Sequence, residues 1–334
     1  MPAHVFVMDQ RNYEICLRRG VVGIPEARDS KNKRSVSDML ISRMCMVREN
    51  DFLLFYRTDT SALYGVWQAE GTPFYDETQV WPDKIYPYRV RFRSTDFGFT
   101  EPLKLHDIYD LQNEGKISSF ALKRASGTNA MFSLSDVEYG VLLNEYFKIN
   151  PYTNEKRIVP EPYPVREGSL LERVNLDRNG QICYEAGAMC YLLQDLTKGR
   201  HKEFFGNYSD YLCYVPTTTR NEIDILLMCA NPLQKETISS YNILELKRDV
   251  FDEKALVQLI AYETWFLNKK VFGDQKMVRT TAIARSFSEE VKEYVRARTR
   301  IEGKPIRLLR YGLNAEGRLF LTEEDAGENT GENV

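Results

Sequence analysis

The sequence of 334 residues has only three histidines, and its six cysteines include no C-x-x-C pair. Zinc-site spacing is therefore absent, and few histidines are present to act as the base of a catalytic Ser-His or Cys-His pair. No run of about 18 apolar residues occurs, and Asp9 and Arg11 interrupt the apolar start of the chain. These absences favour reduced, buried cysteines in a cytoplasmic protein that is neither secreted nor membrane-spanning.

Composition and charge bound the domain count and the possible partners. The chain is 43% hydrophobic and 28% charged, with a formal net charge of −3. A chain of this length supports two ordinary domains, each with its own core. Because the net charge is slightly negative, a nucleic-acid partner would have to be bound by local basic patches.

A proline-rich stretch separates two halves of the chain. Four prolines lie in residues 151–169, a segment without helical periodicity that is typical of an extended connector. We therefore predict a first domain over residues 1–150, a linker over 151–169 and a second domain over 170–320. Residues 321–334 have almost no apolar content and predict a disordered acidic tail.

The apolar patterning predicts an α/β protein that is α+β overall. The first half reads mainly as strands, among them DFLLFY and YPYRVRFRS, with a helix over SVSDMLISRM. The second half begins with the helix ICYEAGAMCYLLQDL, continues with the strands EIDILLM and YNILELK, and then forms the helix DEKALVQLIAYETWFLNKK. Helices that flank paired strands indicate an α/β sandwich.

Two apolar strands of the second half carry charged side chains. Strand side chains alternate, so Glu245 and Lys247 share one face with Ile243. In the preceding strand, Asp224 lies on the same face as Leu226. If the strands are neighbours, Asp224 and Glu245 come together and repel each other unless a cation lies between them. Two carboxylates, a carbonyl oxygen and waters make an ordinary Mg²⁺ site.

The next helix completes a recognisable set. Gln258 and Tyr262 are four residues apart and project from one helix face. Asp224, Glu245-x-Lys247 and Gln258-x-x-x-Tyr262 together resemble the PD-(D/E)xK nuclease superfamily, in particular its RecB-like branch. The segments VPTTTRNEIDILLM, ILELKRD and ALVQLIAYE are also similar to the C-terminal domain of the archaeal NucS/EndoMS endonucleases. The resemblance covers roughly residues 170 to 320 and implies an α/β nuclease core.

The resemblance also implies a role for each residue of the set. Asp224 and Glu245 would ligate Mg²⁺, with Mn²⁺ as a substitute. Lys247 would position or activate the attacking water and stabilise the charge that develops on the phosphate. Gln258 and Tyr262 would orient that lysine and the scissile phosphate. Phosphodiester hydrolysis needs this combination of a metal-activated water and an electrostatic clamp.

Two points stay open at the level of sequence. The family places an acidic residue on the first helix of the core, for which we select Glu185, with Glu172 and Asp195 as alternatives. The E-x-K motif could also belong to an edge strand that uses charges to discourage aggregation. The glutamine and tyrosine of the next helix would then be a surface polar residue and a half-buried aromatic residue.

The first half shows a second resemblance. The segment ENDFLLFYRTDTSALYGVWQAEGTPFYDET is similar to the EVE and YTH domains of the PUA-like superfamily, over about residues 3–147. The resemblance implies a small β-barrel with helices that holds one flipped nucleobase between aromatic faces. Trp67, Tyr75 and Trp81 are the candidate walls, with Trp81 expected in an accessible loop. Trp67 could instead face the core of the barrel. YTH proteins have a tryptophan where this chain has Val21 and Val22, which puts a full tryptophan cage in doubt.

Basic side chains of the first half predict contacts with a nucleic-acid backbone. Arg89, Arg91 and Arg93 share one strand face, because strand side chains alternate. A nearby loop adds three further basic residues, Lys31, Lys33 and Arg34. Such a stripe suits phosphates, although a solvated sheet face is the ordinary alternative.

Together these features predict a Mg²⁺-dependent DNA endonuclease. We expect a modification-dependent restriction enzyme, in which the first domain reads a flipped modified base and the second cuts. Cleavage of both strands would need two active sites, so a homodimer is expected. The alternatives are a mismatch or repair endonuclease of the NucS type, and a non-catalytic reader of modified bases or RNA built on a nuclease scaffold.

Overall fold

The chain forms two units, each with its own β-sheet. The computed structural model describes residues 3–26, 33–96, 98–117, 130–152, 159–217, 221–234 and 237–324. Backbone contacts divide the chain into an N-terminal unit, Met1–Asn175, and a C-terminal unit, Leu176–Val334. Both units combine sheets with helices, so the predicted α/β class, α+β overall, is confirmed.

The N-terminal unit alternates strands and helices. Its elements are β1 (Ala3–Met8), α1 (Gln10–Arg19), β2 (Val21–Ile24), α2 (Lys33–Met44), β3 (Phe52–Arg57), β4 (Ala62–Tyr75), β5 (Tyr88–Ser94), β6 (Leu103–Lys104), α3 (Leu105–Asn113), β7 (Met131–Leu134) and α4 (Asp136–Ile149). The strands form one sheet in the order β2-β5-β4-β3-β1-β7, and β6 pairs with β4. Across the described residues this path does not close on itself, so the predicted closed barrel is not observed.

Local sequence signals set the first elements of this unit. The Asp9 side chain caps α1 by accepting a hydrogen bond from the backbone N–H of Asn12 at 2.8 Å. The helix ends at Gly20, whose φ of 62° lies in the left-handed region that glycine adopts without strain. Helices α3 and α4 pack on the sheet through a core that includes Leu63, Ile108 and Leu142.

The proline-rich connector is bound along the N-terminal unit. The backbone N–H groups of Tyr75 and Gly168 each donate to the carbonyl of the other at 2.8 Å. Glu161 N donates to the carbonyl of Arg18 at 2.9 Å, and the side chain of Asn175 donates to Asp38 Oδ1 at 2.5 Å. The division therefore falls after Asn175, whereas the sequence analysis ended the linker at residue 169.

The C-terminal unit is a six-stranded sheet with helices. Its elements are α5 (Glu185–Thr197), α6 (Lys202–Phe205), β8 (Tyr208–Pro216), β9 (Glu222–Ala230), β10 (Ile238–Leu246), β11 (Val250–Phe251), α7 (Glu253–Lys269), β12 (Val278–Ala284), β13 (Ser286–Phe287), α8 (Glu289–Glu302), β14 (Ile306–Leu313) and β15 (Leu319–Glu323). The order of the large sheet is β15-β14-β12-β10-β9-β8, and β11 pairs with β13. β10, β12 and β14 are parallel, which their helical crossovers α7 and α8 allow.

Helix α7 covers one face of this sheet. Its residues Leu259, Tyr262 and Phe266 are buried in a core shared with Ile243 and Leu226 of the two central strands. The acidic side chains of these strands lie on that covered face, because they alternate with residues of the opposite face. The fold thus places the charged positions beside α7.

Two further expectations concern the ends of the chain and the membrane. Residues 321–323 belong to β15, so the predicted acidic tail begins later than expected, because Leu321 is buried in the sheet. The other residues predicted for the tail, apart from residue 324, lie outside the described part of the chain. Among the helices that the structure describes, none has the length and apolarity needed to cross a membrane.

Candidate active site

The acidic residues of the two charged strands lie side by side. β9 and β10 pair antiparallel with Leu226 opposite Ile243 and Ile225 opposite Leu244, so Asp224 and Glu245 follow as the next positions. The backbone N–H of Leu246 donates to Asp224 Oδ2 at 2.8 Å. The prediction that the two strands are neighbours is confirmed.

The edge-strand interpretation of the E-x-K motif is wrong. β10 lies between β9 and β12 in the middle of the sheet, and Glu245 is 0% exposed. Charges that discourage aggregation belong on exposed edges, where another chain could pair. A fully buried glutamate in a central strand therefore needs another explanation.

Lys247 joins the acidic pair just beyond the end of β10. Its Nζ donates to Glu245 Oε1 at 2.6 Å and to the carbonyl of Leu246 at 3.1 Å. The same Nζ lies 3.6 Å from Oε1 of Glu185, the first residue of α5. One ammonium group thus links the end of a central strand with the start of a helix.

Burial dominates the electrostatics of this cluster. It raises the pKa of Asp224 to about 7, against the attraction of Lys247. Burial and the charge of Asp224 raise the pKa of Glu245 to about 8. Burial alone would lower the pKa of Lys247, but the neighbouring carboxylates outweigh it, and the net shift is upward.

The arrangement fits a hard divalent cation. Glu245 Oε2 is buried and has no hydrogen-bond partner among the described residues, so one carboxylate oxygen is left for a ligand. No group of three or more His, Cys, Asp or Glu side chains in the described ranges is arranged to hold a metal ion. Two carboxylates still suit Mg²⁺, because Mg²⁺ keeps several waters and also binds substrate phosphates.

Helix α7 contributes the predicted glutamine and tyrosine. Gln258 Nε2 donates to the Tyr262 hydroxyl at 2.6 Å, as expected for residues four apart. Tyr262 is buried, and burial together with the charges of Glu245 and Asp224 raises its pKa to about 12. Within the described residues no hydrogen bond joins Gln258 or Tyr262 to Lys247, so their role in orienting the lysine stays a prediction.

Two arginines that sequence reasoning missed hold the start of α5. Arg248 Nη1 donates to the carbonyl of Cys183 at 2.7 Å, and Arg285 Nη2 donates to the carbonyl of Ile182. Both arginines also bind Asp249, Arg248 through Nε at 2.6 Å and Arg285 through Nη1 at 3.2 Å. We call Arg248, Asp249 and Arg285 the arginine clamp. Arg248 directly follows the E-x-K motif, which is the signal that could have identified it.

The arginine clamp helps to decide which acidic residue of the first core helix belongs to the cluster. Glu185 begins α5 two residues after the last clamped carbonyl and lies close to Lys247. Asp195 lies on the same helix but pairs with Arg200 at 2.8 Å and with His201 at 2.9 Å. Glu172 lies in a short 3₁₀ turn of the N-terminal unit. Of the two candidates in the C-terminal unit, the structure brings Glu185 to the cluster.

The three aromatic residues predicted to hold a base occupy different places among the described residues. Trp67 stacks on Phe55 with ring centroids 4.5 Å apart and lines a cavity of about 270 Å³. Tyr75 lines a different cavity of about 680 Å³. Trp81 was expected in an accessible loop but is 2% exposed, so that prediction is wrong. The Arg89 guanidinium lies 5.2 Å from its ring, and this contact favours the buried position.

The predicted backbone contacts also separate. Arg89 is fully buried and pairs with Asp76 at 2.7 Å, so it cannot reach a phosphate and its assignment is wrong. Sheet geometry gives it the same face as the other two arginines, but the chain from Asp76 onward covers that end of the strand. The role of the remaining described candidates stays a prediction. Arg91 pairs with Glu167, Arg93 donates to Gln68 and Asn50, Arg34 donates to Asn175, and Lys33 begins α2. Lys31 lies outside the described residues.

Comparison with known proteins gives limited matches. No protein-family model matches the chain, and no curated protein matches it. Similar solved structures include a repair endonuclease from Pyrococcus abyssi, at 20% identity and a TM-score of 0.27 over 35% of this chain and 45% of that one. They also include EndoMS bound to double-stranded DNA, at 19% identity and a TM-score of 0.26 over 35% of this chain and 43% of that one. A third is EndoMS without DNA, at 19% identity and a TM-score of 0.25 over 36% of this chain and 45% of that one. The chain spans less than half the length of each of these proteins, and the likeness assigns no activity to it.

Proposed function

We propose that the C-terminal unit is a metal-dependent phosphodiester hydrolase that acts on DNA. The observation that carries the proposal is the pair of half-buried Asp224 and fully buried Glu245 on adjacent strands. Among the described residues Glu245 Oε2 has no hydrogen-bond partner, and Lys247 is bound beside it. Two carboxylates that are withdrawn from water on adjacent strands are costly unless a cation neutralises them. A divalent cation satisfies both carboxylates, and a lysine two positions along provides the electrostatic clamp for a phosphate.

Each residue of the cluster has a role in the proposed hydrolysis. Asp224 and Glu245 would hold Mg²⁺, or Mn²⁺ in its place, and the ion supplies Lewis acidity and a water of lowered pKa when bound. Lys247 keeps its proton, because its pKa is raised, and its ammonium group can stabilise negative charge on a phosphate oxygen. Tyr262 and Gln258 form a fixed polar wall beside it.

The finer proposal is a modification-dependent endonuclease, with base reading in the N-terminal unit and cutting in the C-terminal unit as a homodimer. A repair endonuclease of NucS/EndoMS type is the second candidate. It is favoured by the separation of Trp67, Tyr75 and Trp81, which gives no common aromatic cage for a modified base.

Nicking of supercoiled plasmid tests the hydrolase and separates the two candidates. We expect Mg²⁺-dependent nicking that Asp224→Asn and Lys247→Ala abolish, whereas Glu290→Gln, an exposed acid of the same unit, leaves it unchanged. Preference for plasmid with modified bases supports the first candidate, and preference for mismatched duplex supports the second. DNA binding without nicking in Mg²⁺ or Mn²⁺ would instead show a non-catalytic scaffold.

Cation binding gives a readout that does not depend on cleavage. The melting temperature of the wild-type protein should rise with added Mn²⁺, since a ligand that binds only the folded state stabilises it. The Asp224→Asn protein should lose this rise. An equal rise in both proteins would place the cation elsewhere.

A further inference from the structure

The connector, residues 159–175, does more than join the two units. It forms one wall of the cavity of about 680 Å³ that Tyr75 lines. The opposite wall comes from Tyr75, Glu77 and Thr78, and the connector supplies Arg166, Glu167 and Arg173. We call this cavity the connector groove.

The walls of the connector groove are fixed in place. Tyr75 and Gly168 exchange two backbone hydrogen bonds of 2.8 Å, and Thr78 Oγ1 donates to the carbonyl of Pro164 at 3.0 Å. The Arg173 guanidinium lies 4.0 Å from the centre of the Tyr75 ring, a close cation–π contact. A guanidinium held in this way loses less side-chain freedom when it binds a ligand.

Positive charge remains uncompensated in the groove. Glu167 pairs with Arg91, and Glu77 accepts a hydrogen bond from the Tyr75 hydroxyl. The side chains of Arg166 and Arg173 make no ion pair and no hydrogen bond with any described residue, and both residues are exposed. The groove and Arg91 therefore carry three cationic side chains against two acidic ones.

We propose that the connector groove binds the phosphodiester backbone of DNA through Arg166 and Arg173. A guanidinium presents a planar fork of donors that matches phosphate oxygens, and two such groups suit consecutive phosphates of one strand. The volume of the groove accommodates a nucleotide unit. This inference rests on the proposed function in taking DNA as the ligand, and it adds a binding surface that neither the strand arginines nor the catalytic cluster supplies.

The salt dependence of DNA binding by the full chain tests the groove. A short labelled duplex is titrated by fluorescence anisotropy in EDTA, where metal-dependent cleavage is absent, from about 50 to about 200 mM salt. Each lost phosphate contact should reduce the slope of log K against log salt by about 0.9, so Arg166→Gln with Arg173→Gln should reduce it by about 1.8. The affinity should fall about tenfold for each substitution.

A matched control separates the groove from general charge loss. Arg11→Gln removes an exposed arginine of the same unit that pairs with Asp83 at 2.7 Å, and its slope should equal that of the wild type. An equal fall in slope for Arg11→Gln and Arg166→Gln would overturn the proposal, as would an unchanged slope in the double variant. Dependence on the two arginines for RNA but not for DNA would also overturn it.

The outcomes distinguish the groove from the nuclease. Arg166 makes no described contact, so Arg166→Gln should keep the wild-type melting temperature and remains informative if Arg173→Gln fails to fold. Plasmid nicking in Mg²⁺ with an unchanged salt slope would reject the groove and keep the hydrolase. A reduced slope in a protein that never nicks DNA would reject the hydrolase and keep the groove.

Discussion

Glu245 shows how a single residue reports on the candidate site. Its folded-state pKa of about 8 lies far above the ordinary value of 4.5. The native state therefore holds a proton that the unfolded chain has released, and this favours folding at low pH. The contribution is fully present below pH 4.5 and is lost as the pH rises through about 8.

The Glu245→Gln variant should remove this pH dependence. In EDTA, the free energy of unfolding of the wild type should fall between pH 6 and pH 8, by up to about 1.4 kcal/mol per pH unit for one proton. Glu245→Gln should show a flatter profile, because a neutral amide does not titrate. Urea unfolding at both pH values measures the difference, and parallel profiles for the two proteins would contradict it.

The raised pKa of Asp38, which binds Asn175 of the connector, predicts a similar pH dependence of stability. Burial raises its pKa to about 6, against the hydrogen bonds from Asn175. Its contribution to stability is present below the ordinary pKa of 3.8 and lost as the pH rises through about 6. Asp38→Asn should therefore lose less stability than the wild type between pH 4.5 and pH 7 in urea unfolding. Asp83→Asn, an exposed acid of the same unit, should follow the wild type; the prediction is wrong if Asp38→Asn does so too.

Sequence predicts a residue's position well where local geometry determines it. The meeting of Asp224 and Glu245 follows from strand alternation and from one strand pairing with the next along the chain. Trp81 and Arg89 were placed wrongly because their burial depends on contacts with Asp76, Tyr86 and each other, across turns that alternation does not describe.

At the scale of elements, the arginine clamp determines where α5 begins. The helix was predicted from Ile182, but it starts at Glu185 because Arg285 and Arg248 bind the carbonyls of residues 182 and 183. Those carbonyls are therefore not available to the backbone N–H groups of residues 186 and 187, which would donate to them if the helix began at Ile182. Arg285, which directly follows β12, and Arg248, just beyond the end of β10, thus override the helical pattern of the sequence.

Loosening the clamp should impair catalysis more than DNA binding. Arg285→Gln leaves the carbonyl of Ile182 without its donor and Asp249 with Arg248 alone, which should cost about 1–3 kcal/mol of stability. If Glu185 is thereby displaced from Lys247, kcat should fall between about ten- and a hundredfold with little change in KM. Plasmid-nicking kinetics measure kcat and KM separately, and Arg285→Lys should restore part of kcat.

A matched arginine of the same sheet provides the control for the clamp. Arg310 is exposed on β14 and pairs with Glu324 at 2.5 Å. Arg310→Gln should keep the wild-type kcat, since Lys292 still pairs with Glu324 at 2.9 Å. An equal loss of kcat in Arg310→Gln and Arg285→Gln would mean that general destabilisation, and not the start of α5, explains the effect.

At the scale of the whole molecule, the connector was the least predictable part. Its prolines correctly indicate an extended segment, and no helix or strand forms over residues 159–167. The sequence gives no sign that Gly168 pairs with Tyr75 or that Asn175 binds Asp38, because these contacts join residues far apart along the chain. For the same reason the sequence does not show whether the sheet of the N-terminal unit closes into a barrel, because closure depends on which edge strands pair.

The docked connector predicts where the chain can be divided. A fragment of residues 1–150 lacks Gly168 and Asn175, so it loses both backbone bonds of Tyr75 and the two hydrogen bonds from Asn175 to the buried Asp38. Its free energy of unfolding should be about 2–4 kcal/mol lower than that of residues 1–175, at about 1 kcal/mol for each lost hydrogen bond. Urea unfolding followed by the fluorescence of Trp67 and Trp81 measures this difference. Equal stability of the two fragments would mean that the connector adds nothing to the N-terminal unit, and the connector groove would then have no fixed wall.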